Sequence, residues 1–416
     1  MITKQQGAIT LLVSSVILMA SLILTLASYK HIFYQIKRAQ NEVGARKGYW
    51  AAEGGIECAY AKVVVLGEIP NGNIEECKAL SLSSLTIVKG ANYQIESVKN
   101  AHKVKKTFIK GGTGGDGVIK SSSNLYFHSS ISIDFPDPVR FGTDGWECIA
   151  VRYKNLIGAY GAVVNQGVKT SHDFDNQGQD CSINYKTNTS VGSLGFKSDF
   201  KKDISLSPFK DVFGIEASEH NTIRDNGRFT VLHGLENGSE KRVLNCGTKI
   251  KNSLSNTNYV WVEGSCEITT DEYQEFARAM NEKVNGGFIL IHDGSFSIMG
   301  APSGVVAEKI KGVIFHFNYD YRIPDDGSNW IGTDAYNQLY PHGGTSNSIF
   351  PYSFLSTASF YQHGAFTLNG GQFFDTKDQS AIFYTSASLK YGRNIVQRLI
   401  SDLVKPRWQE GSWNDF

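Results

Sequence analysis

Proline is scarce in this chain, at 9 of 416 residues. Beside 42 glycines, 24 phenylalanines and 19 tyrosines, that scarcity suits a β-rich domain with many tight turns. Net charge is nearly absent: 41 basic against 40 acidic residues leave +1. This removes the electrostatic footprint of a dedicated nucleic-acid binder, and no nucleic-acid partner is expected. No GxSxG, HExxH or Walker A motif occurs. The Ser-x-x-Lys at Ser207-Pro-Phe-Lys210 lacks the supporting motifs of a penicillin-binding enzyme. The glycine run 111–117, GGTGGDG, is followed by neither a Lys-Ser/Thr pair nor a helix pattern, so it reads as a joint and not as a phosphate loop. The ten histidines are scattered and form no close metal-binding pair. The chain therefore reads as non-catalytic, with no cofactor expected.

Its length exceeds one typical core, so two or three packed units are expected. Charge is missing altogether between Ala8 and Tyr29, where AITLLVSSVILMASLILTLASY would make a helix of about 33 Å, the thickness of a bilayer's hydrocarbon layer. A secretory signal peptide fits poorly, because its apolar part is shorter and ends at a small-x-small cleavage site. Here the run continues into a second helical pattern, with Ile32, Ile36, Ala39, Val43, Tyr49, Ala52, Ile56 and Ala59 at near-helical spacing. Gly44, Gly48, Gly54 and Gly55 are expected to loosen it. Cys58, Cys77, Cys148, Cys181, Cys246 and Cys266 contain no CxxC pair and no nearby histidine at zinc spacing. Six cysteines allow fifteen pairings. The sequential one, Cys58–Cys77, Cys148–Cys181 and Cys246–Cys266, is expected, in an oxidising compartment beyond the membrane.

Two segments resemble a known family. KQQG followed by AITLLVSS looks like a prepilin cleavage signal, which implies cutting by a prepilin peptidase between Gly7 and Ala8. GYWAAEGGIECAYA is similar to the A-A-E-x-G/A-(I/L) segment of PilX-type minor pilins of type IV pili. The resemblance covers about residues 1–66, with weaker echoes in the last 150 residues. It implies a subunit held in the inner membrane with a periplasmic head before assembly, and on the pilus at the cell surface afterwards, with other pilins as partners. The mannose-sensitive haemagglutinin type is one candidate system. Leu12 stands where most pilins carry a glutamate that is thought to pair with a neighbour's free amine during assembly. Subunits lacking it resemble tip or initiating components, so Leu12 is taken as a tip signature. The alternatives are a tip adhesin that binds a surface glycan or protein and, second, a type II secretion pseudopilin, whose tip subunit has a largely helical head.

The expected fold class is α+β: a leader at 1–7, a transmembrane and amphipathic pilin helix at 8–66, a small pilin-like sheet at 67–110, the joint at 111–117 and a large β-rich extracytoplasmic head at 118–416. Lys103, Lys105, Lys106 and Lys110 read as a solvent-facing strand cluster. Residues from 118 suit a sandwich or an irregular sheet. TDEYQEFARAMNEKV, 270–284, reads as a helix capped by Thr270. Beyond it, short strands between glycine turns suggest partial β-solenoid rungs, an antiparallel sandwich being the competitor. Ile395, Val396, Leu399, Ile400 and Leu403 suggest a last helix, stopped by Pro406. DFDNQGQD resembles the start of a calcium loop, with Asp173, Asp175 and Asp180 as candidate ligands, but Asn184 occupies the place of the bidentate glutamate. The aromatic-rich stretch 319–363 supplies candidate binding residues Trp330, Tyr336, Tyr340 and Tyr352, for a glycan or a protein.

Overall fold

The computed structural model describes residues 6–66, 69, 74, 77, 80–89, 93–109, 112, 117–128, 130–170, 175–190, 195–237, 240–324, 326–341, 346–404, 406–409, 411–412 and 414–415. Most of the expected leader and of the glycine joint lies outside them. The chain divides into two units, Met1–Ile109 with Pro406–Phe416, and Lys110–Lys405. The second unit is therefore an insertion within the first. Residues 406–416, assigned to the head from sequence, belong to the smaller unit.

In that smaller unit one helix, α1 (Gln6–Leu66), runs unbroken. Among the described residues it is the one helix long and apolar enough to cross a membrane. Its first half is bare: Leu12, Val16, Leu18 and Leu22 are exposed, and so are Ile32, Ile36 and Val43 further along. Cover begins near Gly48, where Ala52, Ile56, Ala59 and Val63 recur on one face and are fully buried. They meet Ile95, Val104 and Phe108 of an antiparallel meander, β1 (Ser84–Lys89), β2 (Tyr93–Lys99) and β3 (His102–Ile109). Gly55 is expected to loosen the helix but instead lets the sheet approach, since a Cβ there would lie 2.4 Å from Ser97 Oγ. The Cys58–Cys77 disulfide ties helix to loop.

The end of the chain closes this unit. Arg407–Trp408 and Asn414–Asp415 both pair antiparallel with β3. Trp408 stacks on Tyr60 with ring centroids 3.9 Å apart, and Lys106 Nζ sits 4.1 Å from the Trp408 ring. Lys106 also pairs with Glu57 at 3.1 Å, while Lys103 and Lys105 both pair with Glu96. Lys103, Lys105 and Lys106 are thus each paired, two with Glu96 of β2 and one with Glu57 of α1, and Lys110 lies outside the described residues.

The inserted unit is built on two parallel sheets between which the chain passes alternately. One runs, in spatial order, Ile157–Ala159, Asn124–Phe127, Ser380–Phe383, Ala358–His363, Phe296–Met299, Ser265–Ile268 and Glu240–Val243, with Leu235–Asn237 antiparallel at its edge. The other runs Val163–Asn165, Ile131–Phe135, Ala387–Tyr391, Phe366–Thr376, Lys309–Asn318, Gly287–His292, Tyr259–Glu263 and Thr230–His233. In the region read from sequence as a sandwich or an irregular sheet, Asn124–Phe127 and Ile131–Phe135 stack parallel on the last strands, Ser380–Phe383 and Ala387–Tyr391, while Asp137–Phe141 and Trp146–Ile149 form a separate antiparallel pair. The unit's two ends thus meet within the stack.

Between the sheets Phe296, His316, Phe360 and Phe374 are fully buried, and on the opposite face of the second sheet Trp261, Phe288 and Phe315 are fully buried against Phe209, Phe213 and Phe229. Three helices, Pro208–Phe213, Thr270–Glu282 and Arg393–Leu403, pack on the second sheet. The middle one buries Tyr273, Phe276, Ala277 and Met280. Its cap is Thr269, not Thr270: Glu272 reaches back to the Thr269 N–H at 3.2 Å, while the Thr270 hydroxyl donates to the Met299 carbonyl at 2.9 Å. Gly312 has φ +140°, and a Cβ there would lie 1.9 Å from the Gly287 carbonyl oxygen. Cys148–Cys181 and Cys246–Cys266 complete a sequential disulfide pattern.

Candidate functional site

The aromatic insert covers the outer face of the first sheet, and most of its rings are structural. Trp330 and Tyr340 are buried with Leu339, Phe350, Leu355 and Tyr361, and Tyr336 is half-buried beside them. Of the four residues taken from sequence as binding candidates, Tyr352 alone is exposed, at 71%. Charged side chains grip the insert's backbone. Asp293 Oδ1 accepts the N–H groups of Tyr319, Asp320 and Tyr321 at 2.7, 3.1 and 3.3 Å. Arg242 donates to the carbonyls of Ile331 and Asn329 at 2.8 and 3.0 Å. Glu267 accepts from the N–H groups of Asp334 and Ala335 at 2.9 and 3.0 Å, which caps the short helix Asp334–Leu339. Glu240 accepts the Tyr321 hydroxyl at 3.0 Å. Burial raises the pKa of both Glu240 and Glu267, partly offset by these bonds. The insert is a docked cover, not a free loop.

An aromatic surface that the sequence reading missed lies at the corner where the chain turns from the first sheet into the second. Just past the ends of Ile157–Ala159, Asn124–Phe127 and Ser380–Phe383, and at the end of Ala358–His363, stand Tyr160, His128, Tyr384 and His363. Parallel pairing continues through them: Tyr160 N–H donates to Phe127, His128 N–H to Phe383 and Tyr384 N–H to Gln362, at 2.7–2.8 Å. The four rings therefore form a ladder. Tyr160 stacks on His128 at 5.1 Å and 10°, His128 meets Tyr384 at 5.3 Å, and Tyr384 meets His363 at 5.3 Å. Phe350 packs against both His128 and Tyr384 at 5.5 Å. Burial lowers the pKa of His128 and of His363, so both rings are neutral at pH 7.

Past each ring the chain repeats one local pattern, aromatic-x-small-x-small: His128-x-Ser130-x-Ser132, Tyr384-x-Ser386-x-Ser388, Tyr160-x-Ala162-x-Val164 and His363-x-Ala365-x-Thr367. The small residues leave a groove of about 410 Å³ beside the ladder, lined by Ser130, Ser132, Ser386, Ser388 and Thr367 among others. Asp134 orders two of these hydroxyls, accepting from Ser132 at 2.6 Å and from Ser388. The turn needs a left-handed residue at two corners: Gly364 has φ +82° and Thr385 has φ +72°. A β-branched residue there is strained. Thr385 Oγ1 is also buried with no hydrogen-bond partner among the described residues. The shared five-residue spacing is the sequence signal that could have found this corner.

Asp173 lies outside the described residues. Asp175 closes a turn by accepting the Gln177 N–H at 3.0 Å. Asp180 is engaged on both oxygens: Oδ1 accepts the N–H groups of Val168 and Cys181 at 2.9 and 2.8 Å, and Oδ2 meets Lys186 Nζ at 2.6 Å. Against the opposing effect of burial, these partners hold its pKa below the usual carboxylate range. A calcium ion would have to displace Lys186. Among the described residues no group of three or more His, Cys, Asp or Glu side chains is arranged to hold a metal. Gly7, Ala8 and Leu12 all lie within the exposed first half of α1. Compared with family models, curated proteins and solved structures, the chain matches none.

Proposed function

We propose that this chain is a minor pilin of a type IV pilus, processed between Gly7 and Ala8, anchored by α1 in the inner membrane, and placed at the pilus tip after helping to initiate assembly. The observation that carries this reading is the division of α1 into a bare apolar half and a packed half. Leu12, Val16, Leu18 and Leu22 are 58–68% exposed, with none of the described residues covering them. Such a surface needs lipid or neighbouring helices. The packed half rests on a small antiparallel sheet closed by Cys58–Cys77 and by the chain's end, as a pilin body requires. Leu12 removes the carboxylate by which a shaft subunit is thought to meet its predecessor, and a subunit that enters first has no predecessor. The inserted unit is then the displayed head, and we read its alternating parallel strands as rungs of a partial β-helix. Deleting the protein should cut pilus number far more than pilus length, and immunogold should find the head at fibre ends. Gold spread evenly along shafts would refute the tip placement.

A second reading, a tip adhesin, is favoured by one specific observation: the exposed Tyr160 and the ring ladder beside it.

A further inference from the structure

We propose that the edge of the first sheet at Ile157–Ala159 takes up one extended, uncharged segment of a partner protein as an added strand. Leu125 N–H donates to the Leu156 carbonyl at 2.9 Å, and Tyr160 N–H to the Phe127 carbonyl at 2.8 Å. In a parallel pair, this sets Leu156, Gly158 and Tyr160 to bond the strand Asn124–Phe127. The N–H and C=O groups of Ile157 and Ala159 therefore point the other way, and they have no partner among the described residues. The other two strands of the same turn of chain are covered. Val151–Tyr153 pairs with Phe200–Lys202. Val163–Asn165 meets the stretch 187–189, where Asn165 N–H donates to Thr187 at 2.8 Å and Thr189 N–H to Val163 at 2.9 Å. Past Lys202 the chain turns at 203–206 and enters the helix Pro208–Phe213 instead of passing over Ile157–Ala159. One strand position, about 4.8 Å deep, is left between two covered neighbours.

That position selects its occupant. Alternating outward N–H and C=O groups are matched by another backbone in extended form. A second copy would present a folded edge, and the covering chain at 187–189 and Phe200–Lys202 stands in its way, whereas a single strand fits between them. Charge sets the composition. Sheet edges are commonly guarded by lysine or proline. The far edge of this sheet carries Glu236 and Lys241, paired at 4.0 Å, and Phe200–Lys202 carries Lys201 and Lys202. Between Asn155 and Val168 there is neither a charge nor a proline. Ile157 and Ala159 are half-buried against the core, so the inward residues of an added strand would be apolar. On the outer side, Leu156 and Tyr160 are 59% and 53% exposed beside Gly158. Ile204, 79% exposed, stands over the preceding corner, since its neighbour Asp203 donates its N–H to the Tyr153 carbonyl at 2.8 Å. An added strand would cover this apolar rim.

The test follows hydrogen exchange, resolved to single amides, in the full chain in detergent. Alone, Ile157 and Ala159 should exchange at least tenfold faster than Gly158 and Tyr160, which donate to Asn124–Phe127. The probe is a capped, fluorescein-tagged heptapeptide of alternating threonine and valine. It should bind saturably by anisotropy and slow exchange at Ile157 and Ala159 at least tenfold. The same peptide N-methylated at every amide should bind at least tenfold more weakly to the native chain. Ala159→Pro should weaken binding of the unmodified probe by a similar factor, because it removes one outward N–H at an edge where proline is tolerated. Unchanged unfolding curves would verify its fold, and the methylated peptide decides the matter if that variant does not fold. Slow exchange at Ile157 and Ala159 without the probe would mean that this chain or a second copy already fills the position, and would overturn the proposal. No saturable binding, equal binding of the methylated peptide, or a folded Ala159→Pro that binds as the native chain does would each overturn it as well. The proposal does not rest on the pilin reading: a chain that keeps Met1 but binds the probe would sink that reading and leave this one standing.

Discussion

His316 lies at the centre of the head, wholly enclosed between the sheets, with Phe296 and Phe360 near its ring at 5.9 and 6.4 Å. One ring nitrogen meets the Gly294 carbonyl at 2.8 Å, and Nδ1 has no partner among the described residues. Burial lowers its pKa from 6.5 to about 4, against the smaller raising effect of that carbonyl. In the unfolded chain it returns to 6.5. The folded value is depressed, so the unfolded state binds the extra proton between pH 6.5 and about 4. Stability is therefore complete above 6.5 and falls as the pH drops through that window. Between pH 7.5 and 4.5 the loss from this residue comes to about 2.5 kcal/mol, at about 1.36 kcal/mol per unit. His316→Gln should cost roughly 1–3 kcal/mol at pH 7.5 through lost ring packing. That deficit should shrink by about 2.5 kcal/mol at pH 4.5, where glutamine has nothing to titrate. Urea unfolding of both chains in detergent, followed by tryptophan fluorescence at the two pH values, gives the comparison. His292, lowered to about 3, acts in the same direction as His316, whereas the raised Glu240, Glu267 and Asp375 act in the opposite one. All four are present in both chains and cancel in the difference. A deficit that stays the same at both pH values would refute the argument that His316 is buried as the neutral ring.

The remaining predictions are smaller in scope. Non-reducing peptide mapping should recover Cys58–Cys77, Cys148–Cys181 and Cys246–Cys266, and replacing Cys148 and Cys181 together by serine should lower head stability by about 2–4 kcal/mol in urea. Glu267→Ala should release the amides of Asp334 and Ala335 and speed hydrogen exchange in peptides over 328–340, with loss of about 1–2 kcal/mol of local protection; unchanged exchange would mean that Glu267 does not hold the insert. Thr385→Gly should raise stability by about 1 kcal/mol by relieving the φ +72° strain, and a lower midpoint in urea would show that the corner is not strained.

What could be read from the sequence was local. α1, the helix Thr270–Glu282 and the helix Arg393–Leu403 follow from the spacing of apolar side chains; the buried faces of the two later helices match the expected ones, whereas in α1 Ala52, Ile56 and Ala59 of the expected face are buried and Ile32, Ile36, Ala39 and Val43 are exposed. The cap falls on Thr269, one residue before the expected Thr270, because two adjacent threonines offer the same hydroxyl and only the reach of Glu272 distinguishes them. Long-range pairing left no mark. Ile131 pairs with Ala387, and Leu125 with Ala381, across some 256 residues, so the early strands gave no hint of their parallel partners. The return of Trp408 to β3 was hidden for the same reason. Aromatic content could not tell a cover from a binding surface. Trp330 and Tyr340 are buried because Arg242, Glu267 and Asp293, from strands and turns well upstream, fasten the backbone around them. Tyr160 and Tyr384 were passed over because each is an ordinary tyrosine in sequence, and only stacking brings them into one ladder.

The central claim is that α1 is a processed pilin anchor, and the mature amino terminus tests it most directly. The chain should be extracted from membranes of cells with an active prepilin peptidase, and its intact mass and N-terminal peptide measured. The account predicts that Ala8 is the first residue, with an N-methyl group, and that cells lacking the peptidase retain Met1. Met1 retained in cells with active peptidase, or cleavage beyond Tyr29 as for a secretory signal, would contradict it.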